Sequence, residues 1–302
     1  MQVKLGINAG FAINRFPEPE VWIRIVGEEL GLRYVQFVAD LLNPFLPYRV
    51  IERQIDKIRE LAEKYNVRID TTFTSMFTRV NHLMHPDPLI REAWFQWFKD
   101  FFAMSAQLGA RGAGSHFGIM TVTDLENPQR KKEVTEIAIN LWQQLSLFAS
   151  DLGFEFLMFE PMSIPREMAC TIADTWELYN QVNDGAAIPI KLCLDVDHGF
   201  ALSPDPRDID PYSWLEEFGK LSPVIHIKQS SADKSGHWPF ASDYNKKGII
   251  APDKVLRSLE LSGAEDVILT LEVSHRERYP AERRVLSDLK ESVGYWREFV
   301  RM

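Results

Sequence analysis

Residues 191–198 read Lys-Leu-Cys-Leu-Asp-Val-Asp-His, a largely apolar run that ends in two carboxylates and an imidazole. A short apolar run without helical spacing is the signature of a strand buried on both faces. Three more runs close on a polar side chain in the same way: Phe-Leu-Met-Phe-Glu-Pro at 156–161, Val-Ile-His-Ile-Lys-Gln at 224–229 and Leu-Thr-Leu-Glu-Val-Ser-His at 269–275. Working outward, the strand candidates are Lys4–Asn8, Tyr34–Ala39, Arg68–Thr72, Gly112–His116, Glu155–Glu160, Lys191–Val196, Val224–Lys228 and Val267–Val273. Between them lie helical runs. Pro47 to Asn66, for example, puts Ile51, Ile55, Ile58, Ala62 and Tyr65 on one stripe. Gly109 and Gly153 each stand between a helical run and the next strand, where a residue tolerant of positive φ ends a helix.

Eight strand–helix units imply parallel strands joined by crossover helices. The expected fold is therefore α/β, a (β/α)8 TIM barrel with residues 1–302 as a single domain; about 250 residues is typical of such a barrel. Two long irregular stretches follow the third and seventh strands, at the end of the barrel where catalytic groups gather. The second, Gln229 to Ile250, holds Asp233, Lys234, His237, Trp238, Asp243, Lys246 and Lys247 and is read as a substrate-covering loop.

Composition narrows the partners. With 34 Lys+Arg against 43 Asp+Glu the chain carries a formal charge of −9, the wrong sign for wrapping nucleic acid. Cys170 and Cys193 are the only cysteines and form no Cys-x-x-Cys pair, so neither a disulfide framework nor a zinc–thiolate site is expected. There is no signal-peptide core and no apolar run of membrane-spanning length. The expected location is the cytoplasm. The aromatic face Trp94–Trp97–Phe98–Phe101–Phe102 exceeds what one sheet contact covers and points to contact between subunits of a homo-oligomer.

In a barrel the four polar strand ends, Glu160, Asp195, His226 and Glu272, converge at one mouth. Burying several carboxylates together is costly unless a cation or shared protons offset their repulsion. Three carboxylates and one imidazole suit one divalent metal ion, Mn2+, Mg2+, Co2+ or Zn2+. Such an ion chelates a ketone oxygen and a neighbouring hydroxyl and stabilises the enediolate formed when the proton between them leaves. Glu160 and Glu272 are the candidate catalytic pair, one removing a proton and the other returning one to the opposite face.

These residues resemble the xylose-isomerase-like barrel superfamily over essentially the whole chain. In its ketose epimerases a Glu after strand five, an Asp in Asp-x-x-His, a His after strand seven and a Glu after strand eight bind the metal. The resemblance makes Asp195 rather than Asp197 the ligand and assigns His198 to substrate hydroxyls. It adds Arg166 and Glu167 in Glu-Pro-Met-Ser-Ile-Pro-Arg-Glu, and His116 in Gly-Ala-Gly-Ser-His-Phe-Gly, to the substrate-binding set. Lys228, two residues past His226 on the same strand face, is read as meeting an anionic or carbonyl oxygen of the substrate. Where several sugar epimerases have an arginine after the metal histidine, this chain has Ser-Ser-Ala-Asp-Lys. Lys234, His237, Lys246 and Lys247 of that loop are donors suited to a phosphate. Phe11, Phe73, Phe117 and Trp238 are the candidate apolar wall.

The start of the chain, its Ala-Asp-Leu-Leu-Asn-Pro-Phe segment and its His-Trp-Pro-Phe loop resemble the branch that inverts C3 of a ketotetrose 1-phosphate. The implied activity is a metal-dependent sugar-phosphate epimerase. The alternatives are a ketose 3-epimerase or aldose–ketose isomerase acting on a non-phosphorylated sugar, and a nuclease of the endonuclease IV type. The nuclease needs further metal-binding histidines, and Thr-Thr-Phe-Thr-Ser-Met-Phe after strand three supplies none.

Overall fold

Alternation along each strand decides which side chains meet inside the barrel, because successive residues face opposite sides. The computed structural model describes residues 1–79, 82–231 and 234–300, without the side chains of 234 and 235. The strands are β1 Gln2–Asn8, β2 Tyr34–Val38, β3 Arg68–Phe73, β4 Gly112–His116, β5 Phe156–Glu160, β6 Ile190–Asp195, β7 Val224–Ile227, β8 Gln229–Ser231, β9 Lys234–Trp238 and β10 Asp266–Leu271. Eight of them close a parallel barrel in the order β1-β10-β7-β6-β5-β4-β3-β2. The seam runs from Gln2↔Asp266 to Ile7↔Leu271. All eight expected strands are present, with ends shifted by a residue or two.

The stretch expected to be an irregular loop after strand seven is instead ordered by its own hydrogen bonds. β8 and β9 pair antiparallel, and a short helix, Ser242–Asn245, follows. The Ser230 hydroxyl and the Gly236 N–H both donate to Asp197, which ties this hairpin to the end of β6. Asp233 lies outside the described residues.

Helices wrap the barrel and begin where capping chemistry starts them. Asp87 accepts from the Leu89 N–H ahead of Pro88, and Asn127 accepts from the Gln129 and Arg130 N–H groups ahead of Pro128. The helices Pro88–Gln107 and Pro128–Asp151 are succeeded by Gly109 and Gly153 at φ of 82° and 83°, the left-handed conformation that costs glycine little. The aromatic face expected to seek a second subunit is covered by the chain itself. Trp97, Phe98, Phe101 and Phe102 are buried, with Phe98 against Trp142 at 6.2 Å and Phe102 against Phe154 at 6.1 Å between ring centroids. That stripe therefore gives no argument for self-association. No described helix is long and apolar enough to cross a membrane.

Inside the barrel, Phe73, Phe156, Met158, Cys193 and Val224 form their own apolar cluster, separate from the main strand–helix core. Phe156 and Met158 occupy alternate positions below Glu160 on β5, Cys193 below Asp195 on β6 and Val224 below His226 on β7, so the strand period that fills the barrel floor also turns these three polar groups inward. Glycines in β4 make room for this layer. A Cβ at Gly114 would lie 2.5 Å from the Phe73 ring and 2.8 Å from the Met158 carbonyl oxygen. Gly114→Ala is expected to destabilise the fold by about 1–3 kcal/mol through overpacking. Chemical denaturation measures this, and a loss below the detection limit would show that Phe73 has somewhere to move.

Candidate active site

The sheet register brings the polar strand ends together in pairs. His116 is opposite Glu160 across β4–β5, and Asp195 is opposite His226 across β6–β7. The Glu272 N–H donates to the Ile227 carbonyl at 3.0 Å, which sets Glu272 beside Lys228. Glu160, Asp195, His226 and Lys228 are all buried; Glu272 keeps 28% of its side chain exposed toward a cavity of about 510 Å3.

At the centre is the His226 ring. Its Nδ1 lies 3.1 Å from Glu160 Oε1, 3.7 Å from Glu272 Oε1 and 3.9 Å from Asp195 Oδ2. Its Nε2 lies 2.7 Å from Gln36 Oε1, and that oxygen also accepts from Asn8 Nδ2 at 2.8 Å. A carbonyl oxygen only accepts, so Nε2 carries a proton, and in the neutral ring the Nδ1 lone pair points at the three carboxylates. Donor atoms held by a divalent cation at about 2.0–2.2 Å lie roughly 3–4 Å from one another, and these separations match. Two overlapping triads, Glu160–Asp195–His198 and Asp195–His226–Glu272, meet the geometric condition for holding an ion. Acidic and histidine side chains are thus placed to bind a metal, and the hydrogen bond to Gln36 is the outer support a metal-binding imidazole needs.

Lys228 stands elsewhere than the substrate contact expected of it. Its ammonium is fully buried, donates to Asp195 Oδ2 and to Glu272 Oε2 at 2.8 Å, and lies 3.4 Å from His237 Nε2. It does not line the cavity. One ammonium against three carboxylates leaves an excess of two negative charges, the charge a single divalent cation neutralises.

The same proximity sets the proton affinities when no ion is bound. Burial disfavours the His226 imidazolium, but Cys193, Glu272 and Glu160 outweigh it and raise its pKa well above the usual value. Burial likewise raises the Glu160 carboxyl, yet His226, His198 and the hydrogen bond from His116 hold it well below the carboxylate range. Glu272 is depressed against its burial by His226 and Lys228. For His237, burial and then the neighbouring Lys228 charge lower the pKa.

Three further histidines complete the wall. His116 Nε2 is 3.0 Å from Glu160 Oε2. His198 Nδ1 donates to the Pro161 carbonyl at 3.0 Å, which leaves its Nε2, 3.6 Å from Asp195 Oδ2, as the acceptor facing the cavity. His237 lines the cavity from β9, with Nδ1 3.6 Å from Glu272 Oε2. Other residues named from sequence are placed away from it. Arg166 donates to the Met120 carbonyl at 2.8 Å, and Glu167 pairs with Arg79 at 2.7 Å; neither lines the cavity. Lys246 and Lys247 are exposed and do not line the cavity, and the Lys234 side chain lies outside the description. Phe11 and Phe73 line the cavity, whereas Phe117 stacks on Trp142 at 5.7 Å in the outer core and Trp238 packs against Tyr244.

Sequence reasoning missed Gln36, Asn8, Arg15, Arg79 and Arg276. Gln36 carried a signal: it is the polar residue in the centre of Tyr-Val-Gln-Phe-Val, and a buried amide requires a partner. The arginines carried none, since each lies in a loop of ordinary surface composition.

Comparison with known proteins adds independent support for the architecture. A family model described as a xylose isomerase-like TIM barrel matches residues 26–298. The D-erythrulose 1-phosphate 3-epimerase of Brucella abortus (strain 2308) is 37% identical over 297 residues, covering 98% of this chain and 96% of its own. Among solved structures, a protein from Rhodospirillum rubrum ATCC 11170 provisionally named a xylose isomerase superposes with a TM-score of 0.89 at 26% identity, covering 98% and 99% of the two chains. The D-psicose 3-epimerase of Clostridium cellulolyticum H10, solved with D-tagatose, gives a TM-score of 0.72 at 15% identity, covering 99% and 100%; at that identity the likeness is one of fold.

Proposed function

This chain belongs to the xylose isomerase-like TIM barrel family and is an enzyme of the isomerase class, and from that premise we propose that it is a divalent-metal-dependent sugar-phosphate epimerase inverting C3 of erythrulose 1-phosphate. The observation that carries the reading is the His226 Nδ1 lone pair aimed into three carboxylates, with its tautomer fixed by Gln36. The substrate rests on the 37% identical epimerase of that sugar phosphate.

Glu160, Asp195, His226 and Glu272 would hold the cation, which when bound supplies Lewis-acid polarisation of the ketone and the hydroxyl beside it. The proton work belongs to the chain. Glu160 and Glu272 enter the cavity from β5 and from the end of β10, three strands apart around the barrel, so a ketose between them shows a different face of C3 to each. One carboxylate takes the C3 proton and the other delivers a proton to the opposite face. The His198 Nε2 accepts from a substrate hydroxyl, and Phe11, Phe73 and Met162 form the apolar wall that keeps water from the reacting carbon.

Incubation with erythrulose 1-phosphate in deuterated water tests the reading. Deuterium at C3 with inversion is the expected NMR result; formation of an aldehyde would instead mean an aldose–ketose isomerase. Gln36→Leu is expected to weaken divalent-ion binding about 10- to 100-fold by releasing the outer support of His226. Calorimetric titration with Mn2+ measures this directly, and an unchanged affinity would remove Gln36 from the site.

A further inference from the structure

The geometry points to a phosphate subsite formed by Arg15 and Arg276 at the rim of the cavity, opposite in charge to its carboxylate floor. This rests on the epimerase reading above and says where the anionic end of the substrate lies. Of the lysines that sequence offered as phosphate donors, Lys246 and Lys247 are exposed and do not line the cavity, whereas Arg15 and Arg276 do.

Arg15 is held as a built element. Its Nε donates to Glu282 Oε2 at 2.9 Å and its Nη2 to the His275 carbonyl at 2.8 Å, and only 9% of its side chain is exposed. These bonds bind the loop after β1 to the loop after β10 and leave the Nη1 amine with no hydrogen bond among the described residues. A guanidinium fixed along one edge presents the rest of its planar fork, the geometry that suits phosphate. Arg276 is exposed on the neighbouring loop, and no carboxylate of the described residues is within ion-pair distance of it. It is four positions on from Glu272, at most about 14 Å of extended chain. Both arginines line the same cavity as Glu160 and Glu272.

Charge orients the substrate between these ends. A phosphate monoester carries about −1.5 to −2 near neutral pH; the floor residues would hold the ion that takes the ketone and hydroxyl oxygens, and the arginine rim attracts the phosphate. Glu277 is the acidic residue at this rim, and its Oε1 is engaged by Asn14 Nδ2 at 3.3 Å. Arg79, the third arginine on the wall, is paired with Glu167 and Arg15 with Glu282, so Arg276 brings the uncompensated charge and Arg15 the fixed Nη1 donor. The carbonyl end therefore points down and the phosphate outward.

Steady-state epimerisation of erythrulose 1-phosphate and of unphosphorylated erythrulose, measured for the wild type, Arg276→Ala and the conservative Arg15→Lys, tests this together with calorimetric binding of inorganic phosphate. The preference for the phosphorylated sugar is expected to fall about tenfold or more in Arg276→Ala, mainly through KM, with a parallel loss of phosphate affinity. Arg15→Lys keeps the charge but loses the fork and is expected to show the same direction. An unchanged preference and unchanged phosphate affinity in both variants overturn the subsite and leave the epimerase reading intact. Phosphate binding that depends on Arg276, in a wild type that exchanges no C3 proton of either sugar, supports the subsite and sinks the epimerase reading.

Discussion

Replacement of Glu160 by Gln is expected to lower C3 inversion about 10²- to 10⁴-fold, the range over which a positioned general acid–base group contributes. The amide keeps the size of the side chain, so the barrel should remain folded by circular dichroism. Loss of turnover alone would not separate a lost proton carrier from a lost ion ligand. The two-carboxylate arrangement makes a sharper demand: with Glu160 neutralised, Glu272 still faces one side of C3. Deuterium should then wash into one epimer without inversion, and Glu272→Gln should show the complementary pattern with the other epimer. Inversion at wild-type rate in either variant would exclude the proposed roles, as would identical exchange patterns in both.

Lys228→Met should be the most destabilising single change in the site. Its ammonium is fully buried between Asp195 and Glu272, and removal leaves both carboxylates without their cation. Breaking a buried pair in this way costs about 3–5 kcal/mol, or roughly 5–8 °C in Tm for a chain of this length. The sign of the companion effect is equally specific. Without Lys228 the three carboxylates carry one more uncompensated charge, so added Mn2+ should raise the Tm of the variant more than that of the wild type. A variant as stable as the wild type in the absence of metal, or one that Mn2+ stabilises less, would show that Lys228 does not balance this cluster.

The alternative location for Lys228, reaching out to substrate, was natural from the strand pattern. Position i+2 from His226 does place it on the inner face. What periodicity does not contain is how deep that face is occupied. The backbone of β10 sets Glu272 beside Lys228, and Asp195 approaches from β6, so the ammonium is taken up before it reaches the cavity. Arg166 and Glu167 illustrate the same limit: they follow Glu160 closely in sequence, yet a short turn, Pro165–Glu167, directs Arg166 to the Met120 carbonyl and Glu167 to Arg79.

Sequence by itself determined the barrel and the identity of the side chains at its mouth. Apolar runs of strand length separated by amphipathic helices admit few packings, and an alternating strand that fills the floor with Phe156 and Met158 has to turn Glu160 inward as well. The tertiary structure alone decided how those side chains are used: which nitrogen of His226 carries its proton, which carboxylates the buried Lys228 ammonium serves, and which arginines stand at the rim. Gln36 is 190 positions from the histidine it orients, and Arg15 is fixed by residues more than 250 positions away. Hydrogen-bond partnership and charge compensation are relations between strands and loops that closure of the barrel makes neighbours, and local periodicity holds no record of them.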